Sequence, residues 1–241
     1  VLCILPFEVS IYKKYGIDAV FVGHPRADSV PLNQDIRISR RLLGINSEEV
    51  IAILPGSRIS EILFLGDIFV NTAKIILDER KNVQFIIPIA TPALRKKIEL
   101  QVSLAGLTNN FLLIDGNSEH VMISADVVLL ASGTAALESA LLQKPTVAAY
   151  KVNKISYLIF KLLKLAKLSK FTLPNLLTET PLVPEFIQNE AQPALIAEAV
   201  IELLKSPSQR QLISKEFSKL KAELALNTNQ CAADAVTSLI K

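Results

Sequence analysis

The sequence has few of the residues that disulfide-bonded, metal-binding or nucleic-acid-binding proteins use in number. Its two cysteines, Cys3 and Cys231, lie at opposite ends of 241 residues and form neither a disulfide framework nor a metal-binding spacing. Aromatic residues make up only 6% and the net charge is only +3, so neither base stacking nor charge indicates nucleic-acid binding. The cysteine usage favours a reducing cytoplasm.

Long apolar runs are also missing. No run approaches the ~20 residues that span a bilayer. The opening VLCILPFEVS contains Pro6 and Glu8 and lacks the basic segment and the cleavage site of a signal peptide. Because this opening starts with Val1 and resembles the middle of a buried strand, we expect a further N-terminal part to precede it.

Three common nucleotide motifs are absent. Without G-x-x-x-x-G-K-[ST] the chain does not fit the P-loop kinases and ATPases, and without G-x-G-x-x-G after a strand it does not fit the dinucleotide dehydrogenases. No D-x-D pair is present to clamp a diphosphate through a metal ion. We therefore expect any nucleotide site here to work without a metal or another cofactor.

What the chain does contain is a regular alternation of two patterns. Half of the residues are hydrophobic, which is enough to bury a sizeable core. Short β-rich runs alternate with helical segments, which predicts an α/β fold: a Rossmann-like parallel sheet with helices on both faces. After Ala191 only helical patterns follow, which predicts three C-terminal helices, the first with Pro193 in its first turn. The predicted strands are AVFVGHP, EVIAILPGS, VQFIIPIA, NFLLIDG, DVVLLAS and PTVAAY, and the main predicted helices are Glu61 to Asp78, Thr91 to Leu104 and Thr134 to Leu142.

The segment LLASGTAALESALLQKP predicts a strand that stops at small residues where a helix begins. Ser132, Gly133 and Thr134 leave the first amides of that helix open to an anion such as phosphate. Glu138 lies about 6 Å further along the helix axis, where a carboxylate suits the two hydroxyls of a ribose. The alternative is that the small residues let the helix pack tightly on the sheet and that Glu138 is a solvated surface acid.

A second strand end has related chemistry. In ILPGSRISEI, Arg58 offers a planar fork of donors for phosphate oxygens, and the amides of Gly56 and Ser57 are expected to add to it. Glu61 either orients Arg58 or complements the start of the next helix, and we favour the second role. The alternative for Arg58 is an ordinary surface residue. Both strand ends together favour a site for a nucleoside diphosphate.

Six motifs in the same order resemble lipid-A-disaccharide synthase over essentially the whole chain. These are LPFE at residues 5–8, YGIDAVFVGHPRAD at 15–28, LLGI at 42–45, LPGSRISEI at 54–62, ASGTAALE at 131–138 and LPNLL at 173–177. The resemblance implies a GT-B glycosyltransferase that joins UDP-2,3-diacylglucosamine to 2,3-diacylglucosamine 1-phosphate and releases UDP. Non-hydrolysing UDP-sugar epimerases and other GT-B transferases share the fold but not this set of motifs.

By this resemblance the chain has three parts. Residues 1–30 end an N-terminal acceptor domain, residues 31–190 form the nucleotide-sugar-binding Rossmann-like domain, and residues 191–241 are helices that return toward the N-terminal domain. The general base is then expected in the missing part, so activity of this chain alone is doubtful. A catalytically inactive UDP-binding module or remnant is the alternative.

The resemblance also implies roles for single residues. Arg58 binds the diphosphate, the segment 132–134 supplies amides, Glu138 holds the ribose, and Asn175 lies close to the donor. For Asn175 the alternative is a capping or turn residue. His24 is a weak candidate for catalysis, since a single histidine in a loop is more often structural.

The segment KVNKISYLIFKLLKLAKLSKF predicts a basic amphipathic helix with lysines on one side and aliphatic residues on the other. Such a helix suits the anionic surface of the inner membrane of a Gram-negative bacterium, as expected for a peripheral cytoplasmic enzyme with acylated substrates. The alternative is an ordinary helix that packs on the core. A homodimer is left open.

Overall fold

The computed structural model describes residues 1–31, 34–152 and 170–239. These residues form a six-stranded parallel sheet, a separate two-stranded parallel sheet and flanking helices. The strands are β1 (Leu2–Cys3), β2 (Val20–Phe21), β3 (Glu49–Leu54), β4 (Val83–Ile89), β5 (Phe111–Asp115), β6 (Val127–Ala131), β7 (Thr146–Tyr150) and β8 (Glu185–Ile187). The helices are α1 (Pro6–Lys14), α2 (Pro25–Ser29), α3 (Ile36–Leu42), α4 (Ile59–Glu79), α5 (Pro92–Leu104), α6 (Ser118–Ser124), α7 (Thr134–Leu141), α8 (Leu173–Leu177), α9 (Pro193–Lys205), α10 (Pro207–Leu224) and α11 (Thr228–Thr237), with a 3-10 turn at Thr108–Asn110.

The strand order in the larger sheet is β5-β4-β3-β6-β7-β8. β3 lies in the middle, so that Ile51 is paired with Phe85 of β4 on one side and with Val127 of β6 on the other. The central strands are almost purely apolar because helices cover both faces of a parallel sheet. Residues 50–53 and 127–130, for example, are fully buried.

Helices pack on both faces of this sheet. α9 contacts β6, β7 and α4, and α4 also contacts α5. α7 contacts β6 and β7 from the other face and packs against α8 and α10. In α4 the buried residues recur at helical spacing, as at Ile62, Leu65, Phe69 and Ile76, so its apolar stripe faces the sheet.

The C-terminal helices contact the segment that follows β2. The His24 N–H donates to the Leu224 carbonyl at 2.8 Å. The Asp28 carboxylate accepts from the N–H groups of Asn227 and Thr228, at the start of α11, at 3.0 and 2.7 Å. Backbone and side-chain hydrogen bonds therefore join the segment around His24 and Asp28 to the C-terminal helices.

The structure confirms the predicted fold class. Each predicted strand is present, although the first is only Val20–Phe21 and belongs to the smaller sheet. The three C-terminal helices are also present, and Pro193 is the first residue of α9. β8 was not predicted because three residues at a sheet edge leave almost no periodic signal.

The predicted basic amphipathic helix lies at residues 153–169, outside the described residues. Within the described ranges, no helix combines the length and the apolar character needed to cross a bilayer.

Candidate functional site: a pocket at the carboxyl edge of the sheet

The main pocket lies at the carboxyl ends of five strands of the larger sheet and has a volume of about 640 Å³. β3 and β6, which lie side by side, contribute the centre of this pocket. The chain runs from β3 outward through β4 to β5, then returns to β6 and runs outward in the other direction, so these two strands mark the point where the strand order reverses. Ligands of open α/β sheets bind at this point. The pocket is lined by residues 54–58, 88–90, 116–118 and 131–135, together with Glu61, Glu138 and Tyr150.

The end of β3 presents the Arg58 side chain. The Ser57 and Arg58 N–H groups donate to Oε2 of Glu61 at 2.8 and 3.2 Å. Glu61 therefore caps the start of α4, the role favoured from the sequence, and its other oxygen lies 3.8 Å from the Arg58 guanidinium. Glu61 occupies the Ser57 and Arg58 amides, so among the described residues this loop offers an anion the Gly56 amide and the guanidinium, whose side chain is 80% exposed.

Gly56 makes this arrangement possible. Its φ is +117°, a conformation that other residues rarely adopt. A Cβ at this position would also overlap the Glu61 carboxylate. The glycine therefore serves the turn that places Arg58 and Glu61, and it also lines the pocket.

The end of β6 presents backbone amides. The Ser132 N–H continues the sheet by donating to the Ala149 carbonyl at 2.8 Å. The amides of Gly133, Thr134 and Ala135 have no acceptor in the described part of the chain, and no side chain caps α7. A Cβ added to Gly133 would meet nothing within 4 Å, so its Cα faces open space. Exposed amides and the helix dipole make this a suitable seat for phosphate.

Glu138 lies one turn into α7 and lines the same pocket. It is half-buried, and its carboxylate accepts no hydrogen bond and forms no ion pair within the described residues. The other residues of this turn, such as Leu137 and Ser139, are buried against the sheet. The carboxylate is thus available to a ligand that donates hydrogen bonds, as a diol does.

Two loops and one aromatic residue complete the pocket and were not predicted. Residues 88–90 follow β4, and residues 116–118 follow β5, where Asn117 has a φ of 52° before α6. Tyr150 ends β7, and its ring lies 4.8 Å from that of Phe171 between centroids. The sequence contained a signal for these residues. Gly-Asn after a predicted strand and Tyr at the end of another mark the carboxyl ends of strands as clearly as the motifs around Arg58 and Gly133.

Asn175 and His24 do not line the pocket. Asn175 is 1% exposed, and all four hydrogen-bonding positions of its amide are used. Its Nδ2 donates to the Val183 carbonyl and to Glu185, and its Oδ1 accepts from the N–H groups of Leu182 and Val183. This geometry corresponds to the turn-forming alternative.

His24 caps a short helix. Its Nδ1 accepts from the Arg26 N–H at 3.2 Å at the start of α2. Burial lowers the pKa of the imidazole, and the nearby Asp28 carboxylate opposes that shift. The side chain is therefore used locally, away from the pocket.

The described residues contain no group of three or more His, Cys, Asp or Glu side chains arranged to hold a metal ion. Around the pocket the charged groups are one guanidinium and two carboxylates. The arrangement can therefore bind a phosphate-containing ligand through Arg58 and the amino end of α7.

Comparisons with known proteins identify the family of the chain. The family model described as lipid-A-disaccharide synthetase matches residues 1–240. A lipid-A-disaccharide synthase of Xanthomonas axonopodis pv. citri is 40% identical over the whole chain, and one of Hahella chejuensis is 43% identical. These matches cover 55% and 60% of the two relatives, so the chain spans a little more than half of their length.

Solved structures show a similar fold at low identity. The C-terminal domain of a group 1 glycosyl transferase from Francisella tularensis has a TM-score of 0.58 at 17% identity, covering 83% of this chain and 97% of that domain. A structure described as a UDP-N-acetylglucosamine 2-epimerase from Listeria monocytogenes has a TM-score of 0.64 at 13% identity, covering 100% of this chain and 59% of that one. These likenesses concern the fold alone, which is that of the GT-B glycosyltransferases.

Proposed function

We propose that this chain, which belongs to the lipid-A-disaccharide synthetase family, carries the donor-nucleotide site of an inverting hexosyltransferase. The proposed reaction transfers 2,3-diacylglucosamine from UDP to 2,3-diacylglucosamine 1-phosphate and releases UDP. One observation carries the proposal: the Arg58 guanidinium and the uncapped amino end of α7 line the same pocket, at the strand-order reversal of the sheet.

The proposed chemistry needs a stabilised leaving group. As the bond between the anomeric carbon and the diphosphate breaks, negative charge develops on the β-phosphate. Arg58 supplies a full positive charge, and the amides of Gly133 and Thr134 supply fixed dipoles. Because these amides belong to the backbone, they need no rearrangement during the reaction.

The remaining parts of UDP fit the rest of the pocket. Glu138, whose carboxylate has no partner among the described residues, accepts from the ribose hydroxyls about one helical turn from the phosphate seat. The loops at 88–90 and 116–118 then enclose the uracil.

Among the described residues that line the pocket, none is available as a base for the acceptor hydroxyl. Glu61 is engaged with two backbone amides, Glu138 is assigned to the ribose, and His24 lies elsewhere. We therefore propose that the proton acceptor lies outside the described pocket. The same observation favours the second candidate function, a UDP-binding module without catalysis of its own.

Further proposals concern organisation and location. Residues 1–30 are proposed to belong to an acceptor domain distinct from residues 31–190, a division supported by the separate sheet of β1 and β2. Residues 191–241 are proposed to return toward that domain, as the bonds to His24 and Asp28 suggest. Peripheral contact with an anionic inner membrane is proposed from the lysines of the 153–169 segment.

Titration of the chain with UDP in EDTA tests the proposal. We expect binding without a metal, and we expect Arg58→Ala to weaken it by about 2 kcal/mol, because a charge-assisted phosphate contact is lost. Arg37→Ala, at an exposed position on α3 away from the pocket, is the matched control and should leave the affinity unchanged. UDP binding that requires added magnesium, or equal effects of the two substitutions, would contradict the proposal.

An assay with both acylated substrates separates the two candidate functions. We expect the 241-residue chain to bind UDP but form no disaccharide, because its pocket lacks a base for a step usually worth about 10²- to 10⁴-fold. Disaccharide formed by this chain alone would place the base among its residues and exclude the non-catalytic module.

A further inference from the structure

A second, smaller cavity of about 140 Å³ adjoins the main pocket. It lies between the first two turns of α4 and the end of β7. Arg58, Ser132 and Tyr150 line both cavities, so the smaller one opens directly from the phosphate seat. We name it the side chamber.

The walls of the side chamber combine apolar and polar side chains. Phe64, Leu65 and Val152 are apolar, and Ser60, Glu61 and Lys151 are polar. Phe64 is 37% exposed although it is a large aromatic residue, so the folded chain leaves part of its ring uncovered. Lys151 forms no ion pair with a carboxylate of the described residues.

The geometry of α4 places Phe64 in the wall of the side chamber and directs its neighbour Leu63 away from it. Ser60 and Phe64 are four residues apart and therefore lie on the same side of α4. Leu63 projects about 100° away and lines neither cavity, although it is 53% exposed. α4 thus carries three exposed large apolar residues, Ile59, Leu63 and Phe64, of which only Phe64 lines a cavity.

From these walls we infer that the side chamber receives the acyl group carried by the donor sugar. The inference rests on the proposed function, in which the diphosphate lies between Arg58 and the amino end of α7. The uracil and the ribose then occupy the side of the pocket that contains Glu138 and the loops at 88–90 and 116–118. The sugar attached to the β-phosphate then lies on the other side of Arg58, where the side chamber opens.

The chemistry of the chamber selects an acylated sugar over a bare one. A sugar without an acyl group has no apolar surface to cover the exposed part of the Phe64 ring. An acyl group covers it with methylenes, and the hydroxyl of Ser60 and the ammonium of Lys151 remain near the polar sugar. The small volume accepts the first carbons, and a longer chain continues over the exposed edge of Phe64.

The test compares two soluble ligands that differ by four methylenes, UDP-N-acetylglucosamine and UDP-N-hexanoylglucosamine. Each methylene fully removed from water strengthens binding roughly fourfold. With partial burial we expect the hexanoyl ligand to bind about tenfold more tightly than the acetyl ligand. In Phe64→Ser this preference should fall to less than about threefold. The preference is a ratio of two affinities of the same protein, so a loss of folded material cancels.

Two further variants complete the experiment. Leu63→Ser removes a more exposed apolar residue from the other flank of α4 and should keep the tenfold preference. Ser60→Leu fills the chamber and should abolish it. A preference that is absent in the native chain, or that survives in both Phe64→Ser and Ser60→Leu, overturns the inference. UDP alone is titrated in parallel, and a native chain that does not bind UDP would refute the proposed function itself.

Discussion

The two edges of the six-stranded sheet treat their polar groups in opposite ways. At the amino edge, Asp126 accepts from the Val50 N–H and from the Arg40 guanidinium, both at 2.8 Å. The Lys144 ammonium donates to the carbonyls of Ile123 and Ala125 at the end of α6. In this cluster each charged side chain has a partner within the chain.

The carboxyl edge leaves polar groups available. The first amides of α7 have no acceptor among the described residues, the Glu138 carboxylate has no partner there, and the Arg58 side chain is 80% exposed. Yet both edges lie at the ends of the same strands, and both carry carboxylates and cationic side chains. A polar group whose hydrogen bonds are complete contributes to stability, whereas one that is left open can bind a ligand.

The largest expected effect concerns the amino edge. Asp126→Ala leaves the Arg40 guanidinium and the Val50 N–H without their carboxylate, so we expect the free energy of unfolding to fall by about 3 kcal/mol. UDP affinity, measured well below the melting temperature, should not change. Asp78→Ala is the control, because Asp78 forms only an exposed pair with Lys81 at 3.9 Å. If Asp126→Ala weakened UDP binding instead, the two edges would not be separate in function.

The next effect is a pH dependence of the same edge. Burial lowers the pKa of Lys144 to about 8, whereas in the unfolded chain it is about 10.4. Between these values the unfolded chain binds more protons, so stability rises with pH; below pH 8 the cost of burying the ammonium is fully present. Relative to Lys144→Met, the native chain should therefore gain about 2 to 3 kcal/mol between pH 7 and pH 10 in urea unfolding. An unchanged difference between the two proteins would show that the ammonium is not buried.

Two glycines sharpen the comparison within the carboxyl edge. Gly133→Ala places a methyl group in open space at an extended φ of 174°, so stability should not change while UDP binds roughly tenfold more weakly. Gly56→Ala forces a φ of +117° on alanine and pushes against Glu61, so the free energy of unfolding should fall by about 1 to 2 kcal/mol. Calorimetric titration and thermal unfolding of both variants measure the two effects. If both substitutions changed UDP affinity and stability to the same extent, Gly133 could not be assigned to the phosphate seat and Gly56 to the turn.

The smallest effect concerns the ribose. Glu138→Gln should weaken UDP binding by about 1 kcal/mol, because a charged acceptor for two hydroxyls becomes a neutral one. The loss should be smaller for 2′-deoxy-UDP, in which one of these hydroxyls is absent. Titration of both proteins with both ligands measures the difference, and equal losses would exclude Glu138 as the ribose ligand.

Much of the fold followed from local patterns. The helix expected at Glu61 to Asp78 is observed at Ile59–Glu79, and the one expected at Thr134 to Leu142 is observed at Thr134–Leu141. Periodicity and capping residues act over a few residues and can be recognised in a single sequence. β8 escaped prediction because its three residues depend on pairing with Tyr150 and its neighbours in β7.

The site was predictable in part for the same reason. Arg58 and Glu138 were identified because each follows a predicted strand closely. The loop at 116–118 was missed because its place on the same pocket as residues 54–58 depends on β5 pairing with β4 and β4 pairing with β3. The use of the Ser57 amide by Glu61 was also missed, since a hydrogen bond depends on a specific turn geometry.

By itself, the sequence determined the alternation of strands and helices and the chemistry at the end of each strand, because these depend on residues close together in the chain. Only the tertiary structure decided that β3 lies beside β6, which brings the guanidinium of Arg58 and the amides at Gly133 to one pocket. It also decided which polar groups already have partners. The first outcome depends on contacts between residues more than 70 positions apart, such as Leu54 and Leu130, and no local pattern encodes them.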